Sequence, residues 1–251
     1  HVEIRNVPVE RPDSGEILLR VEAATTCGTD LKVFKRGRHP KMLEPPSPFG
    51  HEMAGCVAAI GRGVAGFKEG DAVVVANSAP CFLCEFCKLG KENLCADLQY
   101  LNGAFAEFIR VPQRFVERNT HLIPKNLSFE IAALTEPLGC VIHGIDSCEL
   151  NRYPRDFSPE IIVFGAGPIG LLFVTALAMR NCKVILVDPN SNRLAVGKKM
   201  GAFKTVLIER EGNQESVIKA ATNDQKGAQI VIDATGVPQV WQNAIKCVKP
   251  G

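Results

Sequence analysis

Apolar positions change their spacing along the 251-residue chain. Up to about residue 145 they come in short runs that partly alternate with polar positions and are broken by Gly and Pro: 16–24, 55–60, 71–76 and 104–111, the last stopped by Pro112. That pattern predicts half-buried strands, and many short strands without a long helix predict a β-barrel-like domain. Over 128–146 the spacing turns helical. Ser128 is a cap residue, Ala132, Ala133 and Leu134 favour helix, and Pro137 forces a break or a fresh start. From about Phe157, continuous apolar runs at 161–164, 183–187, 205–208 and 229–233 alternate with helical stretches at 168–180, 192–200 and 215–221. Unbroken Val/Ile strands between helices predict a parallel sheet covered on both faces, the doubly wound α/β arrangement. Two domains follow, over residues 1–145 and 146–251.

Charge and cysteine usage narrow the partners. Lys and Arg total 29 against 27 Asp and Glu, a net charge of +2, without the basic bias of a nucleic-acid or membrane-surface binder. The longest apolar stretch, 169–179, falls short of the roughly 20 residues a membrane span needs, and no charged-then-apolar leader opens the chain. A small-molecule partner is expected, with no nucleic acid and no membrane. Four of the ten cysteines lie close together and six are scattered. Disulfide frameworks belong to small secreted domains, so a reduced, cytoplasmic setting is expected. The chain opens on His1 and stops on Lys249-Pro250-Gly251, and its second half holds four strands where a complete doubly wound sheet has six. It is therefore expected to be a piece of something longer.

Two motifs bring chemistry. Gly165-Ala166-Gly167-Pro168-Ile169-Gly170 follows a buried strand and opens a helix, and Asp188 ends the next strand. In that context the glycines cradle a pyrophosphate. Gly165 permits the turn, Gly167 lets backbone approach the phosphates, and Gly170 lets helix and strand close. Pro168 loses nothing at a helix start, which leaves the Ile169 N–H to meet phosphate. Asp188 is expected to bind the adenosine ribose and to favour NAD over NADP; Arg193 either packs on adenine or is a solvated helix residue. The second motif is Cys81-x2-Cys84-x2-Cys87-x7-Cys95. Four thiolates close a tetrahedron with no open position, so a structural zinc is expected. The bacterial iron–sulfur run ends C-x3-C-P, unlike the seven-residue gap and Ala96 here.

Taken in order, Cys27-Gly28-Thr29-Asp30, Gly50-His51-Glu52, the four-cysteine loop, Glu136-Pro137 and the glycine turn resemble the zinc-dependent medium-chain alcohol dehydrogenase family. Within it they look most like the polyol (sorbitol-type) and threonine dehydrogenase branch. The resemblance implies a GroES-like β-barrel catalytic domain, a Rossmann domain, catalysis in the cleft between them, NAD, two zinc ions per chain, and a homodimer or homotetramer. By position it implies Cys27, His51 and Glu136 as ligands of a catalytic zinc, Glu52 holding water on that metal or exchanging with it, and Thr29 taking the first proton. A thiolate, an imidazole and a carboxylate do leave a fourth position open. Cys140, four residues after Glu136, is the competing ligand. Lys32 stands where many relatives carry a relay histidine, and a lysine cation accepts no proton unless its pKa is lowered, so the relay is expected to run through water. The implied activity is hydride transfer from a secondary alcohol, polyol or amino alcohol to NAD. The alternatives are a non-catalytic NAD-binding zinc protein and a zinc-free, quinone-reductase-like member, though the latter group lacks the ligand cysteines.

Other residues have plainer expectations. His143 is expected in a packed core, His39 and His121 in solvated loops, and Trp241 in packing. Cys56, Cys148, Cys182 and Cys247 read as small core hydrophobes. The run Lys32, Lys35, Arg36, Arg38, Lys41 is expected to be a solvated face or, if functional, an attractor of a phosphorylated or acidic substrate.

Overall fold

In the computed structural model, which describes residues 2–209 and 214–250, β1 (Ile17–Thr25) sets the pattern of the first half. Ile17 and Leu19 are fully buried while Arg20 and Glu22 face solvent, the period-2 alternation of a strand with one covered face. After it come α1 (Gly28–Arg36), β2 (Glu52–Ile60), β3 (Ala72–Val75), β4 (Ser78–Ala79), α2 (Glu85–Lys88), β5 (Gln99–Tyr100), β6 (Phe108–Val111), α3 (Gln113–Asn119), β7 (Thr120–Leu122) and α4 (Phe129–Ala132). The main sheet runs β6-β1-β2-β3-β7, every pair antiparallel, and β4–β5 form a separate ribbon. Its core gathers Ile17, Leu19, Met53, Val57, Val73, Val75, Val111 and Phe115. The antiparallel β domain expected from the alternating runs is there.

The second half is built around a parallel sheet. α5 (Thr135–Asp146) is followed by β8 (Glu160–Phe164), α6 (Pro168–Ala178), β9 (Lys183–Asp188), α7 (Ser191–Lys199), β10 (Lys204–Leu207), α8 (Glu215–Ala220), β11 (Ile230–Asp233) and α9 (Pro238–Lys246). The strand order β10-β9-β8-β11 is that of the first four strands of a doubly wound dinucleotide fold, as the continuous apolar runs predict. Every residue of β8 is buried, because helices cover both faces of a central parallel strand. The chain divides into two compact units, His1–Glu136 and Pro137–Gly251. The division falls inside α5 because Val141 and Ile145 pack with Ile161, Val163 and Phe173. No helix among the described residues is long and apolar enough to cross a membrane.

Several details differ from the sequence expectations. The run at 104–111 yields a strand only from Phe108, since the N–H groups of Gly103, Ala104 and Phe105 bond the carbonyls of Gly50 and Phe49 instead. α1 and α3 have no long apolar stripe to announce them; each buries two side chains, Asp30 and Val33 in one, Phe115 and Val116 in the other. His143 is exposed, not packed, because the buried face of α5 runs through Pro137, Val141 and Ile145. Trp241 is 60% exposed for the same geometric reason: Val240 and Ala244 are the α9 residues that meet the core. Cys182 and Cys247 are buried as expected, whereas Cys56 and Cys148 are half-buried. His1 and Gly251, end residues in the expectation of a longer chain, lie outside the described residues.

Candidate functional site

Cys27 sits where β1 has ended and α1 begins, and it is the residue that caps the helix. Its Sγ accepts from the N–H of Thr29 at 3.4 Å, while the Asp30 carboxylate turns back to accept from the N–H of Cys27 at 2.9 Å. This is the reciprocal arrangement by which helix starts satisfy orphan N–H groups, here with sulfur in place of a hydroxyl. The other Asp30 oxygen lies 3.1 Å from Nδ1 of His51, with both residues buried. Engaging Nδ1 leaves Nε2 as the nitrogen available to a metal, the usual outer-shell device for aiming an imidazole. Glu52 follows at the start of β2, where it is buried, directly opposite Thr25 in the β1–β2 register, and its Oε2 accepts from the Thr25 hydroxyl.

The electrostatics match the geometry. His51, as hydrogen-bond partner, lowers the Cys27 thiol from its ordinary value against the opposing effect of burial, and Thr29 adds its N–H and hydroxyl. Burial works against charge on His51, yet Cys27, Asp30 and Glu136 together lift it to about 9. Both shifts favour the charged pair, a thiolate beside an imidazolium, and the thiolate is the form of sulfur that binds metal. Burial pushes the Glu136 carboxyl up; the His51 charge opposes this, and Glu52 and Asp30 add to it. One donor atom each from Cys27, His51 and Glu52 lie within 4.8 Å of one another. Glu136 stands outside that trio but within the field of His51, Glu52 and Asp30. Cys140 is exposed. A soft sulfur, an imidazole and a carboxylate gathered this closely suit a zinc ion.

The four-cysteine loop converges as its spacing predicts. Its Sγ atoms lie 3.4 Å (Cys81–Cys95), 3.5 Å (Cys84–Cys87) and 4.0 Å (Cys81–Cys87 and Cys84–Cys95) apart. A tetrahedron with Zn–S bonds of about 2.3 Å has edges of about 3.8 Å, so one ion fits among all four. Backbone N–H groups of Cys81, Leu83 and Cys84 point at the sulfurs. Backbone donors from Ala96 and Cys87 pull the Cys84 thiol down to about 6, whereas burial and the neighbouring thiols push Cys87 up to about 12. Sulfurs this close resist ionising together until a cation sits among them.

The glycine turn also has the shape its residues predict. Gly165 has φ +96°, and a Cβ on Gly170 would stand 1.8 Å from the Gly165 carbonyl oxygen, so strand and helix meet there only through glycine. Gly167 caps α6, and no atom lies within 4 Å of where its Cβ would be. That open space in front of a helix N-terminus, with Ile169 in the first turn, fits a dinucleotide pyrophosphate. Asp188 is buried and already braces the turn, Oδ2 accepting from the N–H of Ala166 at 2.7 Å and Oδ1 from that of Asn190 at 2.8 Å. Arg193 is exposed in the first turn of α7. Asp30 and Thr25 escaped the sequence reading. Asp30 had a signal, the Cys27-x-x-Asp30 spacing of a reciprocal helix cap, but Thr25 meets Glu52 only through strand pairing.

Comparison with known proteins agrees with this picture. Residues 13–124 match the alcohol dehydrogenase GroES-like domain and residues 168–251 the zinc-binding dehydrogenase model. A sorbitol dehydrogenase of Bacillus subtilis is 37% identical over 257 residues, covering 100% of this chain and 70% of its own length. An L-threonine 3-dehydrogenase of Bacillus licheniformis is 32% identical over 98% of this chain and 69% of its own. Among solved structures, galactitol-1-phosphate dehydrogenase from Escherichia coli superposes with a TM-score of 0.84 at 28% identity, covering 98% of this chain and 69% of that one.

Proposed function

This chain belongs to the zinc-dependent medium-chain dehydrogenases of the polyol and threonine branch, NAD-linked oxidoreductases of alcohols and polyols, and from that membership we propose how its residues divide the work. Cys27, His51 and Glu136 would hold the catalytic zinc, with Glu52 placed to hold the water on that metal or to exchange with it. The observation behind this is the convergence of donors from half-buried Cys27 and buried His51 and Glu52, with Glu136 in the electrostatic field of His51 and Glu52. Cys81, Cys84, Cys87 and Cys95 hold a second, structural zinc. Gly165, Gly167, Ile169 and Gly170 receive the pyrophosphate. Asp188 binds the adenosine ribose and favours NAD, with Arg193 beside the adenine. Residues before the end of α5 thus carry the substrate chemistry and those after it the coenzyme.

When bound, zinc supplies a Lewis acid to the carbinol oxygen and NAD a hydride acceptor. Thr29, whose hydroxyl and N–H already meet Cys27, takes the carbinol proton at Oγ1 and passes it to water. Asp30 keeps Nδ1 of His51 occupied so that the ring presents Nε2. Lys32 lies exposed on α1, and proton transfer runs through solvent water. We place the protein in the cytoplasm, where its ten cysteines stay reduced, as a homodimer or homotetramer.

A second view of the substrate is favoured by one observation. Lys32, Lys35, Arg36, Arg38 and Lys41 are all exposed and none makes an ion pair among the described residues, which suits an anionic substrate such as a polyol phosphate. The test is NAD reduction by the protein over polyols, polyol phosphates, threonine and short alcohols, with and without a chelator. Chelator-sensitive NADH formation with at least one secondary alcohol is expected. NAD binding with no oxidation of any of them would sink the proposal.

A further inference from the structure

Thr25 and Glu52 are the last aligned pair of the β1–β2 ladder, so the two side chains are set beside each other by backbone register before any side-chain contact is considered. The Thr25 hydroxyl uses that position to donate to Oε2 of Glu52, a residue only 3% exposed and placed with Cys27 and His51 in the donor trio. No cation approaches Glu52 closely enough to form an ion pair among the described residues. The choice of donor matters chemically. A lysine or arginine would cancel the negative charge a metal needs, whereas a hydroxyl fixes the carboxylate and leaves its charge intact. With one oxygen held, the carboxylate has one oxygen to offer; released, it is free to turn away or to close on an ion with both.

We propose that Thr25 is a positioning residue for Glu52, holding Oε2 so that the carboxylate meets a metal at Cys27 and His51 through its other oxygen. This rests on the metal centre proposed above. A side chain that aims a ligand is worth about 10- to 100-fold in metal affinity, and its effect has to pass through Glu52. A purely structural threonine has no such dependence.

The experiment uses the whole protein loaded with zinc and, separately, with cobalt(II), and compares Thr25→Val, Thr25→Ser, Glu52→Gln and the double variant Thr25→Val/Glu52→Gln. The metal of the four-cysteine loop serves as the internal reference. Expected for Thr25→Val is roughly tenfold weaker zinc binding at the first centre and an altered cobalt d–d spectrum, with the reference metal unchanged. Thr25→Ser keeps the parent behaviour, and Thr25→Val adds nothing in the Glu52→Gln background. Thr25→Ala reads out the same difference if valine prevents folding. Parent-like zinc affinity and cobalt spectrum in both hydroxyl-free variants would overturn the inference and leave the metal centre standing, as would an effect of equal size in the Glu52→Gln background. A parent protein that takes up metal only in the four-cysteine loop overturns the centre and the inference together.

Discussion

Asp30 engages two groups with its two oxygens, the N–H of Cys27 and Nδ1 of His51, and so ties two proposed zinc ligands to one carboxylate. Asp30→Asn keeps the volume but replaces an acceptor oxygen with a donor that no longer suits both partners. Zinc affinity at this centre should fall by about 10- to 100-fold, measured by competition with a chromophoric chelator; parent-like affinity would show that His51 needs no such brace. Glu136→Ala should lose one zinc per chain together with NADH formation. Activity retained with that zinc in place would pass the carboxylate role to Glu52 alone or the ligand role to Cys140. The residues of short contiguous motifs, Cys27, His51 and Glu52, were legible because their chemistry is compressed into three or four positions. Thr25 was not, since its partner lies 27 residues further on and only the strand register brings it near.

Elements separate what a glycine does for packing from what it does for a ligand. A Cβ on Gly170 would collide with the Gly165 carbonyl, backbone that has little room to yield. Gly170→Ala should therefore cost about 1–3 kcal/mol and lower Tm by roughly 2–8 °C, seen in a thermal melt without coenzyme. Gly167→Ala meets open space and should melt as the parent does, yet weaken NAD binding roughly tenfold, about 1.4 kcal/mol, in a fluorescence titration. Equal NAD affinity for parent and Gly167→Ala would remove the pyrophosphate from this turn. The parallel strands were readable as unbroken Val/Ile runs because burial on both faces demands them. The two short helices, α1 and α3, were not, because a helix that buries two side chains leaves almost no periodic trace. Where residues 103–105 bond the loop at Phe49 and Gly50, a long-range contact overrides a local strand preference.

At the scale of the whole molecule, the two proposed metal centres are assigned separate tasks and should be separable in time. A mild chelator is expected to abolish NADH formation first, from the centre with an open position, and to lower Tm only later, when the closed four-sulfur site empties. Activity and thermal stability declining in a single step would merge the two roles. Cys95→Ser should reproduce the late effect alone, as a lower Tm with one zinc lost. The sulfur of Cys27 has a double place in this scheme, since it is the proposed metal donor and also caps the start of α1. Serine is among the best residues for starting a helix but a poor partner for zinc. Exchanging that one atom, sulfur for oxygen, should leave the scaffold and its dinucleotide cradle intact while extinguishing turnover. Cys27→Ser is therefore expected to leave a well-folded binder of the coenzyme that transforms nothing.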